Sequence, residues 1–182
     1  MTWSAKLSMN ARQRYAQAME WLYLACIVLS GTALVVITLI IPLGVFSRYV
    51  LNSPLSWPEP AAIVMMVMFS FIGGAAVYRA NVHVAVEALL NAVKPDVRRW
   101  MLVGVDLCVA LTALFMLGYG FQLCLVTWHQ TMAEFPALKQ GIVYMPIPLA
   151  GLFTLLFLIE RVWAGDPPKT SLMYSDQAAE LE

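Results

Sequence analysis

Charged side chains are scarce in this chain, at 12% of 182 residues, about half the share of an average soluble domain. Tracts 21–46, 61–78 and 142–159 contain no Asp, Glu, Lys or Arg, and tract 101–128 contains only Asp106. Histidine is nearly missing too, with only His83 and His129. A haem held between spans needs two axial ligands at one depth, and these two are expected at opposite membrane surfaces. Cys26, Cys108 and Cys124 all lie in apolar tracts without a CxxC pair, which points to packing rather than a disulfide or redox centre. No GxxxxGKS/T phosphate loop occurs, so ATP powers nothing from this chain alone. No Ser/His/Asp or Cys/His set falls on one side with a base and an orienting partner. Catalytic residues, a metal site and a cofactor are therefore not expected. Zero net charge makes nucleic acid an improbable partner and says nothing of acidic ones.

What is present is four stretches long enough to cross a bilayer. A span needs about 20 mostly apolar residues, because the hydrocarbon core is roughly 30 Å thick and a helix rises about 1.5 Å per residue. The expected fold is an all-α membrane protein with four transmembrane helices, at about 21–46, 61–78, 101–128 and 142–159. The first would measure roughly 39 Å and should tilt, with Pro42 bending its far end. The uncharged run after Glu20 is too long for a signal-peptide core and is read as a retained span. The 11 Lys and Arg residues are distributed unevenly. Nine lie before the first span, in the 79–99 connection or after the last span; only Arg48 and Lys139 lie in the other two connections. The positive-inside rule then puts both termini and the 79–99 loop in the cytoplasm.

Residues 1–20 are expected to form a cytoplasmic amphipathic segment, 21–162 the four-helix transmembrane domain and 163–182 a cytoplasmic tail. Between the second and third helices, Val82, Val86, Leu89, Leu90 and Val93 share one helical face and His83, Glu87, Asn91 and Lys94 another. This segment is too short and polar to span, so an interfacial amphipathic helix ending at Pro95 is expected.

Asp106 is the best candidate for a transport carboxylate, because ionisable groups inside spans are rare and are functional hypotheses by default. It also lies close enough to the cytoplasmic end to reach water or to pair with a Lys or Arg. Arg48 and Glu59 flank the first outer connection, either as solvated helix stops or as a salt bridge. Gly73-Gly74 sits in a small-residue patch with Ser70, Ala75 and Ala76 that lets another helix approach closely. His83 and Glu87 stand four residues apart, yet further metal ligands are lacking. A solitary carrier needs polar groups for cargo near the midplane, and none is visible. An accessory or scaffold subunit is the leading expectation, with a self-assembling channel or small carrier using Asp106 as the alternative.

Four pieces together resemble one family: Phe46-Ser47-Arg48-Tyr49-Val50-Leu51-Asn52, Ser56-Trp57-Pro58-Glu59, Phe71-Ile72-Gly73-Gly74-Ala75-Ala76 and Asn81-Val82-His83-Val84. The chain is similar over roughly 20–162 to the DctQ-like small membrane subunit of tripartite ATP-independent periplasmic (TRAP) transporters. It departs from the family's pattern in having Pro60 where a second acid often follows Glu59, and Met65, Met66 and Met68 where an aromatic is common. The resemblance implies a multi-pass subunit of a bacterial inner-membrane, sodium-coupled importer of organic acids. Its partners would be a large elevator-type membrane subunit, held in a stable complex, and a periplasmic solute-binding protein, docking transiently. The expected partner-interface residues are Arg48, Asn52, Trp57, Glu59, Gly73, Gly74, His83 and Asp106.

Overall fold

Proline opens most of the helices in this computed structural model, which describes residues 3–80, 95–132, 135, 136 and 138–164. Proline lacks an N–H and has φ preset near −65°, so it suits the first helical position, where that donor would have no partner. Helix α1 runs Trp3–Tyr49, α2 Pro58–Ala80, α3 Pro95–Val126, α4 Gln140–Tyr144 and α5 Pro146–Ala164. Four segments are long and apolar enough to cross a membrane: Arg12–Tyr49, Pro58–Ala80, Trp100–Val126 and Gln140–Trp163. The chain is all-helical in its regular elements, with one isolated bridge, Thr131 to Lys139, among the described residues. The interfacial helix expected at 82–94, His83 within it and the tail beyond Ala164 lie outside the described residues.

One boundary differs from expectation, within the fourth span. Residues 3–20 are helical and continuous with the first span, giving a 47-residue α1, roughly 70 Å long at 1.5 Å per residue. Pro42 sits inside that helix. The fourth span is divided at Met145, between α4 and α5. Pro146 has no N–H to give Ile142, and Ile142 O accepts from Met145 N instead, at 3.2 Å. Pro148 removes a second ladder donor, so the helix restarts rather than continues.

The helices form an open arc in the order α1, α2, α5, α3, with α1 also reaching α5, rather than a closed bundle. Among the described residues α3 packs only on α4 and α5, and only 6% of its most apolar window is buried. The core is shared by the other three: Met19, Tyr23 and Cys26 of α1, Ile72, Ala75 and Ala76 of α2, Ala150 and Phe157 of α5. Most remaining large apolar side chains face outward, as expected where lipid replaces water as solvent. α3 reaches α5 through glycine. A Cβ on Gly151 would stand 2.7 Å from Ala113 O and one on Gly120 would stand 3.0 Å from Ile147 and Pro148.

Candidate functional site

Arginine and glutamate lie near the C-terminal ends of two neighbouring helices, and they meet. Arg79 at the end of α2 donates from Nε and Nη2 to Glu160 Oε2 and Oε1 of α5, both at 2.8 Å. The side chains keep only 5% and 2% of their exposure. The planar guanidinium matches the carboxylate as a two-pronged fork. It also stacks near Tyr23 of α1 and Phe157 of α5, 5.1 and 5.6 Å from the ring centroids. Glu20 of α1 places a carboxylate oxygen 4.0 Å from Arg79 Nη2. On the other side of the same seam, Asp106 Oδ1 of α3 lies 3.3 Å from Arg161 Nη1 of α5. The Tyr78 hydroxyl belongs to this second group, beside Arg161 and Asp106. Tyr15 donates to Leu156 O at 3.0 Å, and its ring meets Trp163 edge-on. All of these contacts gather at the end where α1 begins and α5 finishes, the terminal end.

Several intramembrane hydroxyls bond back onto the preceding turn of the chain. Ser30 Oγ donates to Cys26 O, Thr38 to Leu34 O, Thr112 to Cys108 O and Thr127 to Leu123 O, at 2.7 to 2.9 Å. Such back-bonding satisfies a donor where water is absent and uses it up. Cys26 and Cys124 are buried and Cys108 exposed, all as free thiols. Among the described residues no three His, Cys, Asp or Glu side chains converge as metal ligands.

The opposite end is built by the first connection. Asn52 adopts φ 48°, a left-handed conformation Asn tolerates better than most residues, and the chain turns there. Ser47 closes the turn, its hydroxyl donating to Ser53 O. Asn52→Val should therefore lower stability by about 1–2 kcal/mol, while Asn52→Gly should not. Comparing midpoints in thermal unfolding of the detergent-solubilised chain tests this. The Pro58 ring packs 3.1 Å from where a Gly44 Cβ would lie, seating α2 against α1. Arg48 Nη2 and Glu59 Oε1 pair at 2.8 Å but stay 48% and 74% exposed, a pair worth less than about 1 kcal/mol. Trp57 is exposed beside them. Lys139 Nζ stands 5.0 Å over the Trp128 ring in the other connection at this end.

Two grooves flank Ser70 and Gly74 on α2. One, of about 320 Å³, is walled by α1 through Tyr23, Ile27 and Ser30. The other, of about 380 Å³, is walled by Cys108, Thr112 and Met116 of α3 and by Ala150 and Thr154 of α5. The two glycines differ. A Cβ on Gly73 would touch Ser30 at 3.4 Å, whereas one on Gly74 would meet nothing within 4 Å.

The family model for the DctQ component of tripartite ATP-independent periplasmic transporters matches residues 37–166, from the last third of α1 to just beyond the end of α5. The chain belongs to the DctQ family. It is also 25% identical over 141 residues to a Haemophilus influenzae protein provisionally named as a TRAP transporter small permease. That match covers 74% of this chain and 83% of the relative. The protein is thus a TRAP transporter small subunit, a multi-pass membrane protein of a transporter family rather than an enzyme family.

Within this DctQ subunit the interface candidates separate by place. Arg48, Asn52, Trp57 and Glu59 cluster at one end, Asp106 lies at the other, and Gly73 and Gly74 lie on α2 between them. Asp106 faces Arg161 of the same chain. The charge pattern of the sequence places Arg79 in the 79–99 connection and gives Glu160 no role, so the Arg79–Glu160 pair emerges from the structure. A signal was available. Two opposite charges each followed an apolar span, and the charge distribution put those two ends on the same side.

Proposed function

We propose that this chain is the non-catalytic small subunit of a sodium-coupled, binding-protein-dependent importer of an organic acid in a bacterial inner membrane, and that it anchors the large elevator-type permease. The observation carrying this reading is the open arc: four spans leave one face of α2, around Gly74, uncovered between α1 and α3. A moving carrier needs a stationary frame in lipid, and an uncovered helix face with small residues admits a helix from another subunit. Most of the polar groups described above serve the chain's own contacts. Arg79 faces Glu160 and Glu20, Asp106 faces Arg161, and Ser30 and Thr112 bond their own helices. This favours a frame over a conduit. Both termini and the 81–94 connection lie in the cytoplasm on this reading, and the Asn52–Glu59 end faces the binding protein.

The tagged chain, gently solubilised, is expected to co-purify with a large membrane subunit. Deleting it should abolish solute uptake, and replacing Na⁺ with choline in the assay should do the same. A stable solitary chain whose deletion leaves uptake intact would sink the reading. Gly74→Leu should reduce the co-purified partner at least tenfold, equivalent to about 1.4 kcal/mol of lost association, while leaving the chain's own unfolding midpoint unchanged. Undiminished partner recovery with that variant would remove α2 from the interface.

A further inference from the structure

We propose that Glu20, Arg79, Glu160, Arg161 and Asp106 act together as one electrostatic clasp that fixes how far apart α1 and α3 stand at the terminal end. The two helices do not touch each other there; each is held through the others. Glu20 of α1 faces Arg79 of α2, Arg79 is forked onto Glu160 of α5, and Arg161, the next residue of α5, faces Asp106 of α3. Successive helical residues point about 100° apart. A Glu-Arg pair on α5 can therefore address α2 on one side and α3 on the other. Every span contributes one charge at least, and the signs alternate along the chain of contacts.

The opposite end has no equivalent. Among the described residues its only salt bridge, Arg48 to Glu59, joins α1 to α2 and is largely exposed. Arg79 and Glu160, stripped of nearly all their water at the centre of the clasp, hold geometry more tightly than solvated charges, since few other arrangements satisfy them. The molecule is thus a frame that is stiff at one end and compliant at the other. The proposal concerns this chain's own geometry, so its failure and that of the scaffold reading are separable.

Paired nitroxide labels on the full chain in lipid nanodiscs test it, after replacing Cys26, Cys108 and Cys124. Trp21→Cys with Val103→Cys reports the terminal end and Leu43→Cys with Leu125→Cys the opposite end, all at exposed positions. The first pair should give a narrow distance distribution and the second a broader one. Asp106→Asn with Arg161→Gln, in a pair already partly exposed, should spread the Trp21–Val103 distances by roughly 5 Å, on the scale of one helical turn. It should leave a Trp21→Cys/Val162→Cys pair, between α1 and α5, unchanged. The exchange Asp106→Arg with Arg161→Asp should narrow the distribution again. An unaltered Trp21–Val103 distribution in the neutral variant overturns the clasp, and so does an exchange that behaves like the neutral variant. Arg79→Met with Glu160→Met should broaden both pairs that carry the Trp21 label; if that variant does not accumulate, the Asp106–Arg161 arm decides alone.

Discussion

Arg79→Leu is expected to destabilise the subunit by about 3–5 kcal/mol, because it strands the Glu160 carboxylate without its partner in a dry site. Both side chains are nearly sealed, and Glu160 is among the most deeply buried residues described. Against a typical folding stability of about 5–15 kcal/mol, such a loss removes roughly a fifth or more of the total. Most of the chain should then fail to accumulate in the membrane. The informative companion is Arg79→Leu with Glu160→Leu, which removes both charges and leaves two apolar side chains. That double variant should recover most of the lost midpoint, since a buried ion pair often contributes little beyond the cost of breaking it. Arg79→Lys should fall between, because an ammonium cannot reproduce the two-pronged geometry or the stacking near Tyr23 and Phe157. The measurement is the midpoint of thermal unfolding, followed by loss of monodisperse protein in size exclusion. A single variant as stable as the parent, or a double variant worse than either single one, would contradict this account.

Gly151→Ala is expected to lower stability by about 1–3 kcal/mol, the usual cost of forcing atoms into a packed site, and Gly151→Leu by more. The added Cβ would lie 2.7 Å from Ala113 O and 2.9 Å from Leu117 N. Both are backbone atoms of α3, which cannot swing aside as a side chain can. Because among the described residues α3 joins the other spans only through α4 and α5, separating this pair would detach it from the arc. Gly118→Ala, on the same α3 but with nothing within 4 Å of the new carbon, should be neutral or stabilising, since alanine is the better helix former by about 0.5–1 kcal/mol. The opposite signs of the two substitutions are the test, again read from the unfolding midpoint. Equal effects would mean that α3 does not approach α5 as closely as the glycine contacts require.

Gly73 and Gly74 illustrate what a motif can and cannot say by itself. The small-residue patch marks a helix face suited to close approach, yet adjacent glycines point in different directions. Gly73 lies against Ser30 of the same chain, while Gly74 opens onto both grooves. Asp106 makes the same point for charge. Its rarity inside an apolar tract was plain, but its facing Arg161 depends on α5 folding back beside α3.

The sequence by itself determined that this is a four-span helical membrane protein of the DctQ kind. Hydrocarbon thickness sets span length, and satisfying the backbone without water requires helices. The tertiary structure alone decided the open arc, the glycines used inside the chain and the charges that meet. Each depends on contact between residues far apart along the chain, Arg79 and Glu160 above all. Hydropathy measures only how each segment meets its solvent, and lipid accepts almost any outward apolar face equally. Choosing among those faces falls to close backbone approach and to charges that must find partners where water is scarce.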